Sequence, residues 1–227
     1  MEAKERPVAR NVSGVDSGLL KRGLQALQIP ADPERLEALT RYLGELERWN
    51  RTFGFVKAEG RDLIVRHLFD SLAGLDVLQD LGRNLKAVDV GSGAGFPGLP
   101  LAVFLPGWSF SLLERSVRRA AFLRNAVILC KLDNVRVLEL DLKEVKESFD
   151  VVTFRAFAPL SRQLPDLLRI LAPGGRVAAY KGKKERIEAE LACLGGEGIR
   201  VSLKNLSVPF LDEERHLVLI SEKPGGT

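Results

Sequence analysis

The segment LKAVDVGSGAGFPGLPLAVF, residues 85–104, decides how the rest of the chain is read. Residues 85–90 are a β-prone apolar run and 98–104 a helix-forming one, with glycines at 91, 93, 95 and 98 between them. Glycine takes positive φ at no steric cost and lets a ligand approach the backbone. A helix that starts behind such a turn offers N–H groups with no partner inside the helix. Strand, glycine turn and helix in that order predict a ligand cradle; a glycine-rich turn with no ligand is the plainer alternative. Asp89, at the strand's end, is placed to orient the loop or to meet a ligand amine.

Outward from this unit, β-prone runs recur at 109–113, 135–140, 151–154 and 176–180. Helical stretches lie near 117–131, 160–171 and 185–194. Strands separated by helix-length segments predict a doubly wound α/β fold with a mostly parallel sheet. The last two runs, 199–206 and 216–221, have no helix between them and predict an antiparallel C-terminal hairpin, for seven strands in all. Towards the N-terminus, Leu36, Leu39, Leu43, Leu46 and Trp49 recur at the helical period. Asp32-Pro33-Glu34 supplies the cap, first-turn proline and early acid that start that helix. A second helix is predicted over 62–78, with 50–60 as the loop between. The division expected is a tail at 1–16, a small helical subdomain at 17–82 and the sheet domain at 83–227.

With 227 residues, 45% hydrophobic and 28% charged, the chain has the composition of a globular protein able to bury a core. Its longest nearly apolar run, 99–106, falls far short of the roughly 20 residues that cross a bilayer. MEAKERPVARN has no apolar segment and does not read as a signal peptide, so a cytoplasmic location without membrane attachment is expected. Cys130 and Cys193 lie far apart without a CxxC, and His67 and His216 are the two histidines, so no metal site is expected. The formal charge of +4 permits an anionic partner such as RNA without requiring one.

The glycine spacing narrows the ligand. Counted from Gly91, the dinucleotide pattern GxGxxG fails at Phe96; counted from Gly93 it fits formally but encloses Pro97. The spacing GxGxG from Gly91 suits a nucleoside carrying an amino-acid tail in place of a pyrophosphate, which is S-adenosylmethionine. No GxxxxGK[ST] is present, which excludes a P-loop. Glu114 closes the second strand, where a carboxylate can accept both ribose hydroxyls, a feature of NAD and S-adenosylmethionine sites alike. Asp141-Leu142-Lys143, after the third strand, lies where an adenine ring is held, and backbone contacts from Leu142 and Lys143 are expected there.

Six motifs then occur in order: RHLFDSL (66–72), VDVGSGAGFPGLPL (88–101), LLER (112–115), RAFAPL (155–160), YKG (180–182) and ERHLV (214–218). Together, over roughly residues 42–220, the chain resembles the glucose-inhibited division protein B (GidB, RsmG) family of bacterial 16S ribosomal RNA guanine-N7 methyltransferases. The resemblance implies a class I Rossmann-like methyltransferase fold, with 83–227 as the S-adenosylmethionine-binding domain and small-subunit rRNA as the partner. It also implies cofactor positions at Gly91, Phe96, Leu142, Lys143 and Arg155; the glycine loop adds Gly93 and the strand end adds Glu114. Three departures stand out: Phe53-Gly54-Phe55-Val56 follows Trp49-Asn50 where the family has an NLT, Glu114 replaces an aspartate, and Lys143 replaces an acid.

The implied chemistry agrees with what the residues lack. Guanine N7 carries an in-plane lone pair at neutral pH and needs no general base, so catalysis rests on proximity and alignment. No [DN]PP[YFW] follows the fourth strand, where exocyclic-amine methyltransferases carry it, and no cysteine stands there for a pyrimidine-carbon adduct. Arg155 is expected to contact the cofactor side and to orient the base, with a salt bridge to Asp150 or Asp89 as the alternative. His67 and Asp70, at i and i+3, either line the acceptor pocket or bond the helix to the sheet domain. Lys181 meets phosphate or base, or is merely solvated; Phe157 stacks on guanine or packs. Arg115, Arg118 and Arg119, with Arg48, Arg51, Lys57, Arg61 and Arg66, predict a basic surface that holds RNA through phosphates. The competing readings are a methyltransferase for another RNA or a small molecule, a nicotinamide-dependent oxidoreductase, and a non-catalytic ribosome-binding protein.

Overall fold

A computed structural model of the chain describes residues 14–30, 32–155, 160–194 and 198–223. Helix α1 (Ser17–Ala26) is capped by Asp16, whose side chain accepts from the Leu19 N–H. Helix α2 (Pro33–Phe53) begins at Asp32, which accepts from the Arg35 N–H, and ends where Gly54 turns left-handed at φ +59°. That stop comes four residues beyond the last apolar position of its stripe, because Gly54 is the first residue that supplies an αL cap.

The single helix predicted over 62–78 is instead a broken rod, as α3 (Gly60–Leu63) passes into a π-helical stretch at Ile64–Phe69 and then α4 (Asp70–Leu72). After Ala73 and Gly74, α5 (Leu75–Gln79) starts afresh. Close packing sets the break at Gly74, where a Cβ would lie 2.8 Å from the Tyr180 hydroxyl. The wider π turns shift the phase of the helix, so Leu68, Phe69 and Leu72 stay buried while Arg66 faces outward. π-Helical turns are uncommon and concentrate at functional sites; this one carries His67.

The sheet contains β1 (Lys86–Val90), β2 (Ser109–Leu113), β3 (Val135–Leu138), β4 (Phe149–Arg155), β5 (Leu171–Lys181), β6 (Ile199–Leu206) and β7 (Arg215–Glu222). Their order is β3-β2-β1-β4-β5-β7-β6, parallel through β5 and antiparallel at β7 and β6. The fold is therefore the doubly wound α/β sheet with a C-terminal hairpin that the pattern predicted. Helices α6 (Gly98–Phe104), α7 (Val117–Cys130), α8 (Leu160–Arg169) and α9 (Lys184–Ala192) complete it.

Period-two alternation sends neighbouring strand residues to opposite faces. Ala87, Phe110, Leu112, Ala178 and Tyr180 join one buried cluster with α1, α2, the π stretch, α6 and α7. Val88, Val90, Val152, Phe154, Val177 and Ala179 join another with α8 and α9. The N-terminal helices thus share a continuous core with the sheet. The strand order reverses between β1 and β4, and at such switch points the carboxyl ends of the strands open a crevice for ligand.

Gly23 on α1 faces the buried ring of Phe69, and a Cβ there would stand 2.0 Å from its Cζ. Alanine gains about 1 kcal/mol of helix propensity, but forcing a methyl into a filled core typically costs about 1–3 kcal/mol, and at 2.0 Å the steric effect wins. Gly23→Ala is expected to lower the urea midpoint at an unchanged m value.

Candidate active site

The turn after β1 takes its shape from positive φ at Gly91 (+68°) and Gly93 (+59°), a conformation that costs side-chain-bearing residues energy. Gly91 and Ser92 donate their N–H groups to Leu113 O at 2.9 and 3.0 Å, tying the turn to β2. Three groups then hold it. Asp89, fully buried, accepts from the Gly98 N–H with Oδ2 at 3.1 Å, and the Thr153 hydroxyl lies 3.4 Å from its Oδ1. Glu114, also buried, accepts the Gly93 N–H at 2.9 Å and the Ser116 N–H at 2.8 Å, one on each oxygen. From the helical side, the Tyr42 hydroxyl donates to Ala94 O at 2.7 Å. Of the two roles open to Asp89, the structure shows it orienting the loop. Burial pushes its carboxyl up to about 6, against the hydrogen bonds from Gly98, Ser92 and Thr153.

Two cavities flank the turn. The first, about 560 Å³, is lined by Gly91, Glu114, Asp141, Leu142, Lys143 and Arg155 among others. Asp141 caps the short turn Leu142–Glu144 and takes the Lys143 N–H with its own side chain at 3.1 Å. Arg169 fixes the same turn from below by donating to Leu142 O and Val145 O at 2.7 and 2.6 Å. The Lys143 N–H is thus already satisfied; among the described residues nothing accepts the Leu142 N–H.

The second cavity, about 590 Å³, lies on the helical side and includes His67, Asp70, Phe96, Lys181 and Arg215 in its wall. Gly91, Arg119 and Arg155 line both cavities. Arg155, at the end of β4, sends one nitrogen to Asp70 Oδ2 at 3.0 Å and to the Arg66 and His67 carbonyls at 3.3 and 3.4 Å. Its other terminal nitrogen lies 2.7 Å from His67 Nδ1. The π stretch is what brings these carbonyls to the guanidinium. Arginine can only donate, so Nδ1 must accept and the imidazole proton sits on Nε2. Burial, with Arg155, Arg66 and Arg215 nearby, pushes His67 down to about 4, so the ring is neutral at physiological pH. Arg215 Nε approaches Asp70 Oδ1 at 3.2 Å as an ion pair, without the alignment of a hydrogen bond.

The structure gathers Gly91, Gly93, Phe96, Glu114, Leu142, Lys143, Arg155, His67, Asp70 and Lys181 around this one crevice. Several details differ from expectation. Arg155 pairs with Asp70; Asp150 instead accepts the Lys86 N–H. His67 and Asp70 line the cavity and at the same time bond the helix to β4. Lys181 is neither free nor merely solvated, because Glu190 of α9 holds its ammonium at 2.7 Å. Phe157 lies outside the described residues. Tyr42 and Arg215 are additions; Arg215 stood in the ERHLV motif, whereas Tyr42 gave no signal beyond its place on the apolar stripe of α2. Among the described residues, no cluster of three or more His, Cys, Asp or Glu could hold a metal ion, and no helix is long and apolar enough to cross a membrane.

The family model described as rRNA small subunit methyltransferase G (GidB) matches residues 35–218. Among curated proteins, Ribosomal RNA small subunit methyltransferase G of Methylococcus capsulatus is 38% identical, covering 92% of this chain and 98% of that one. The protein of the same name from Treponema denticola is 32% identical, covering 92% and 96%. Among solved structures, a putative O-methyltransferase from Klebsiella pneumoniae superposes with TM-score 0.61 at 18% identity, over 95% of this chain and 99% of that one. A ribosomal protein L11 methylase from Lactobacillus delbrueckii gives TM-score 0.56 at 16% identity over 68% and 77%. At these identities the structural likeness establishes the methyltransferase fold.

The two perturbed groups act on stability with opposite sign. His67, lowered from 6.5 to about 4, takes up its proton more readily in the unfolded chain, so stability falls as pH drops through that window. Asp89, raised from 3.8 to about 6, holds its proton more tightly when folded, so its contribution is full below 3.8 and is lost as pH rises through about 6. In urea unfolding across a pH series, His67→Gln is expected to lose less stability than the parent between pH 6.5 and 4, and Asp89→Asn to lose more.

Proposed function

Because this chain belongs to the rRNA small subunit methyltransferase G family, we propose that it transfers a methyl group from S-adenosylmethionine to N7 of a guanine in 16S ribosomal RNA. The observation that supports this most is the meeting of two cavities at Arg155, one beside a nucleoside-binding glycine turn and the other walled by a neutral histidine.

The first cavity suits S-adenosylmethionine. Each Glu114 oxygen accepts one backbone N–H and keeps a lone pair for a ribose hydroxyl. The unclaimed Leu142 N–H can donate to an adenine nitrogen. Gly91, which lines both cavities, presents bare backbone to an amino-acid tail, with Gly93 on the side of the second cavity. When bound there, the cofactor supplies an electrophilic methyl group on a sulfonium.

The chain's part in the reaction is to align the acceptor. Guanine N7 has its lone pair in the ring plane and no proton to lose, and His67, held neutral, does not serve as the acid. Its Nε2–H is a fixed donor that can hold a purine by an exocyclic oxygen. Arg155 and Asp70 position that imidazole, and Phe96 packs 5.3 Å from it. Lys181, bound to Glu190, forms a wall of the pocket. Such positioning converts a bimolecular encounter into an aligned attack and supplies much of the acceleration. An rRNA substrate supports a cytoplasmic location for the protein.

The test is transfer of labelled methyl to small-subunit rRNA from cells lacking this gene, with the modified base mapped by N7-specific strand cleavage. Label in the exocyclic amine or only in small molecules refutes the proposal. Arg155→Lys keeps a cation against Asp70 but loses the fork that also holds His67, and is expected to lower turnover by roughly ten- to a hundredfold. In the unmodified enzyme the maximal rate should be flat across the ordinary histidine range near pH 6.5. A rate that titrates there would show that a proton transfer limits the reaction.

A further inference from the structure

Beside the crevice lies a surface that the methyl-transfer reading does not use. Gly54 ends α2 in the left-handed conformation and reverses the chain. Phe53 and Phe55 therefore stand together, with ring centroids 5.8 Å apart and planes 18° from parallel. Trp49 lies 5.4 Å from Phe53, and both Trp49 and Phe55 rest on the buried ring of Phe122 at 5.8 and 5.5 Å. The pair is thus a rigid shelf anchored in the core, although Phe53 itself remains 39% exposed. Over it, from the first turn of α7, the Arg118 guanidinium carbon sits 4.8 Å from the Phe53 ring centroid.

Arg118 and Arg119 are both exposed, and among the described residues neither meets a carboxylate. Arg115 approaches Asp141 only at 3.9 Å and is 81% exposed. Phe53, Phe55, Arg115, Arg118 and Arg119 border one shallow groove of about 540 Å³. Phe55 also borders the acceptor cavity, and Arg119 borders both cavities, so the groove adjoins the site.

We infer that Arg118, braced by the Phe53–Phe55 shelf, is a stacking step for an unpaired RNA base adjacent to the target guanine, with Arg115 and Arg119 taking the neighbouring phosphates. An arginine laid over an aromatic ring is held as a planar cation, and unpaired RNA bases stack on aromatic rings and on guanidinium planes. Arg118 and Arg119, exposed and without carboxylate partners among the described residues, suit a polyanion. A base held there would anchor the strand while its neighbour reaches the crevice. The inference rests on the rRNA reading above and identifies where the strand enters.

The experiment measures the affinity of the protein, loaded with S-adenosylhomocysteine, for a fluorescein-labelled single-stranded RNA containing guanine. Arg118→Lys keeps the charge but not the plane, and Phe53→Leu keeps apolar bulk but not the ring. Each is expected to weaken binding about fivefold or more. Arg118→Lys should leave the salt dependence of binding unchanged, because the phosphates are taken by Arg115 and Arg119 and the lysine keeps the charge at 118. Cofactor affinity and the urea midpoint should match the parent in both variants. Equal affinity in either variant overturns the inference, as does a parent protein that does not bind the oligonucleotide. A loss seen only on assembled small subunits also overturns it, because the surface then meets ribosomal protein. Methylation of small-subunit rRNA by the parent, assayed alongside, separates the two claims: its absence refutes the function, whereas its presence with normal variants refutes only the stacking step.

Discussion

Two buried carboxylates hold the glycine turn, and the rest of the site is arranged around them. Asp89 grips the start of α6 through the Gly98 N–H, and Glu114 grips the middle of the turn through the Gly93 N–H. Neither contact is interchangeable with a neutral hydrophobic residue, because the amides would then be left buried without acceptors, a loss of about 1–3 kcal/mol each. The cost is visible at Asp89, whose ionised form is so disfavoured by burial that its carboxyl rises to about 6. Space around Gly98 is equally closed, since a Cβ there would come within 2.8 Å of Asp89 Oδ2 and 2.5 Å of Leu112. The turn is therefore fixed before any ligand arrives, which is the condition for a preorganised site.

The helical segment is as much a part of that site as the sheet. Tyr42 on α2 bonds to the glycine turn, Tyr180 on β5 donates to Ser71 O at 2.8 Å, and Arg155 on β4 holds the π stretch. Glu45 on α2, buried beside α7, accepts from Trp49, Asn125 and Arg48. These polar ties cross a shared apolar core, so the two cavities are positioned relative to each other by the same packing that stabilises the molecule. A displacement of the front helices would move His67 and Asp70 away from Arg155 together.

Much of this was legible in the sequence because it is local. Strand, glycine turn and helix are written consecutively from 85 to 104, and the missing helix before the last strand announces the antiparallel hairpin. Glu114, Leu142 and Arg155 each follow a strand, and in a parallel sheet strand ends converge on one edge, so their meeting could be foreseen. What stayed hidden depends on distant partners. Asp70 and Arg155 are 85 residues apart, Lys181 reaches Glu190 on a helix of another layer, and Tyr42 looks from the sequence like any apolar position on α2. The π stretch escaped for a different reason: its apolar residues satisfy a helical period well enough that only the carbonyls gathered at Arg155 reveal the changed phase.

The charges near the acceptor cavity follow the same economy as the missing base. Arg155 and Arg215 would by themselves repel a purine that becomes cationic when methylated at N7. Asp70 lies between them, paired with Arg155 at 3.0 Å and Arg215 at 3.2 Å, and so offsets one of their two positive charges. Methyl transfer to a ring nitrogen moves a positive charge across the crevice without creating one. The protein therefore has no new charge to stabilise, in contrast to the oxyanion that develops in acyl transfer. A neutral imidazole with one fixed N–H, a carboxylate shared between two guanidiniums and a rigid turn match the proposed transfer to N7, whose main demand is alignment.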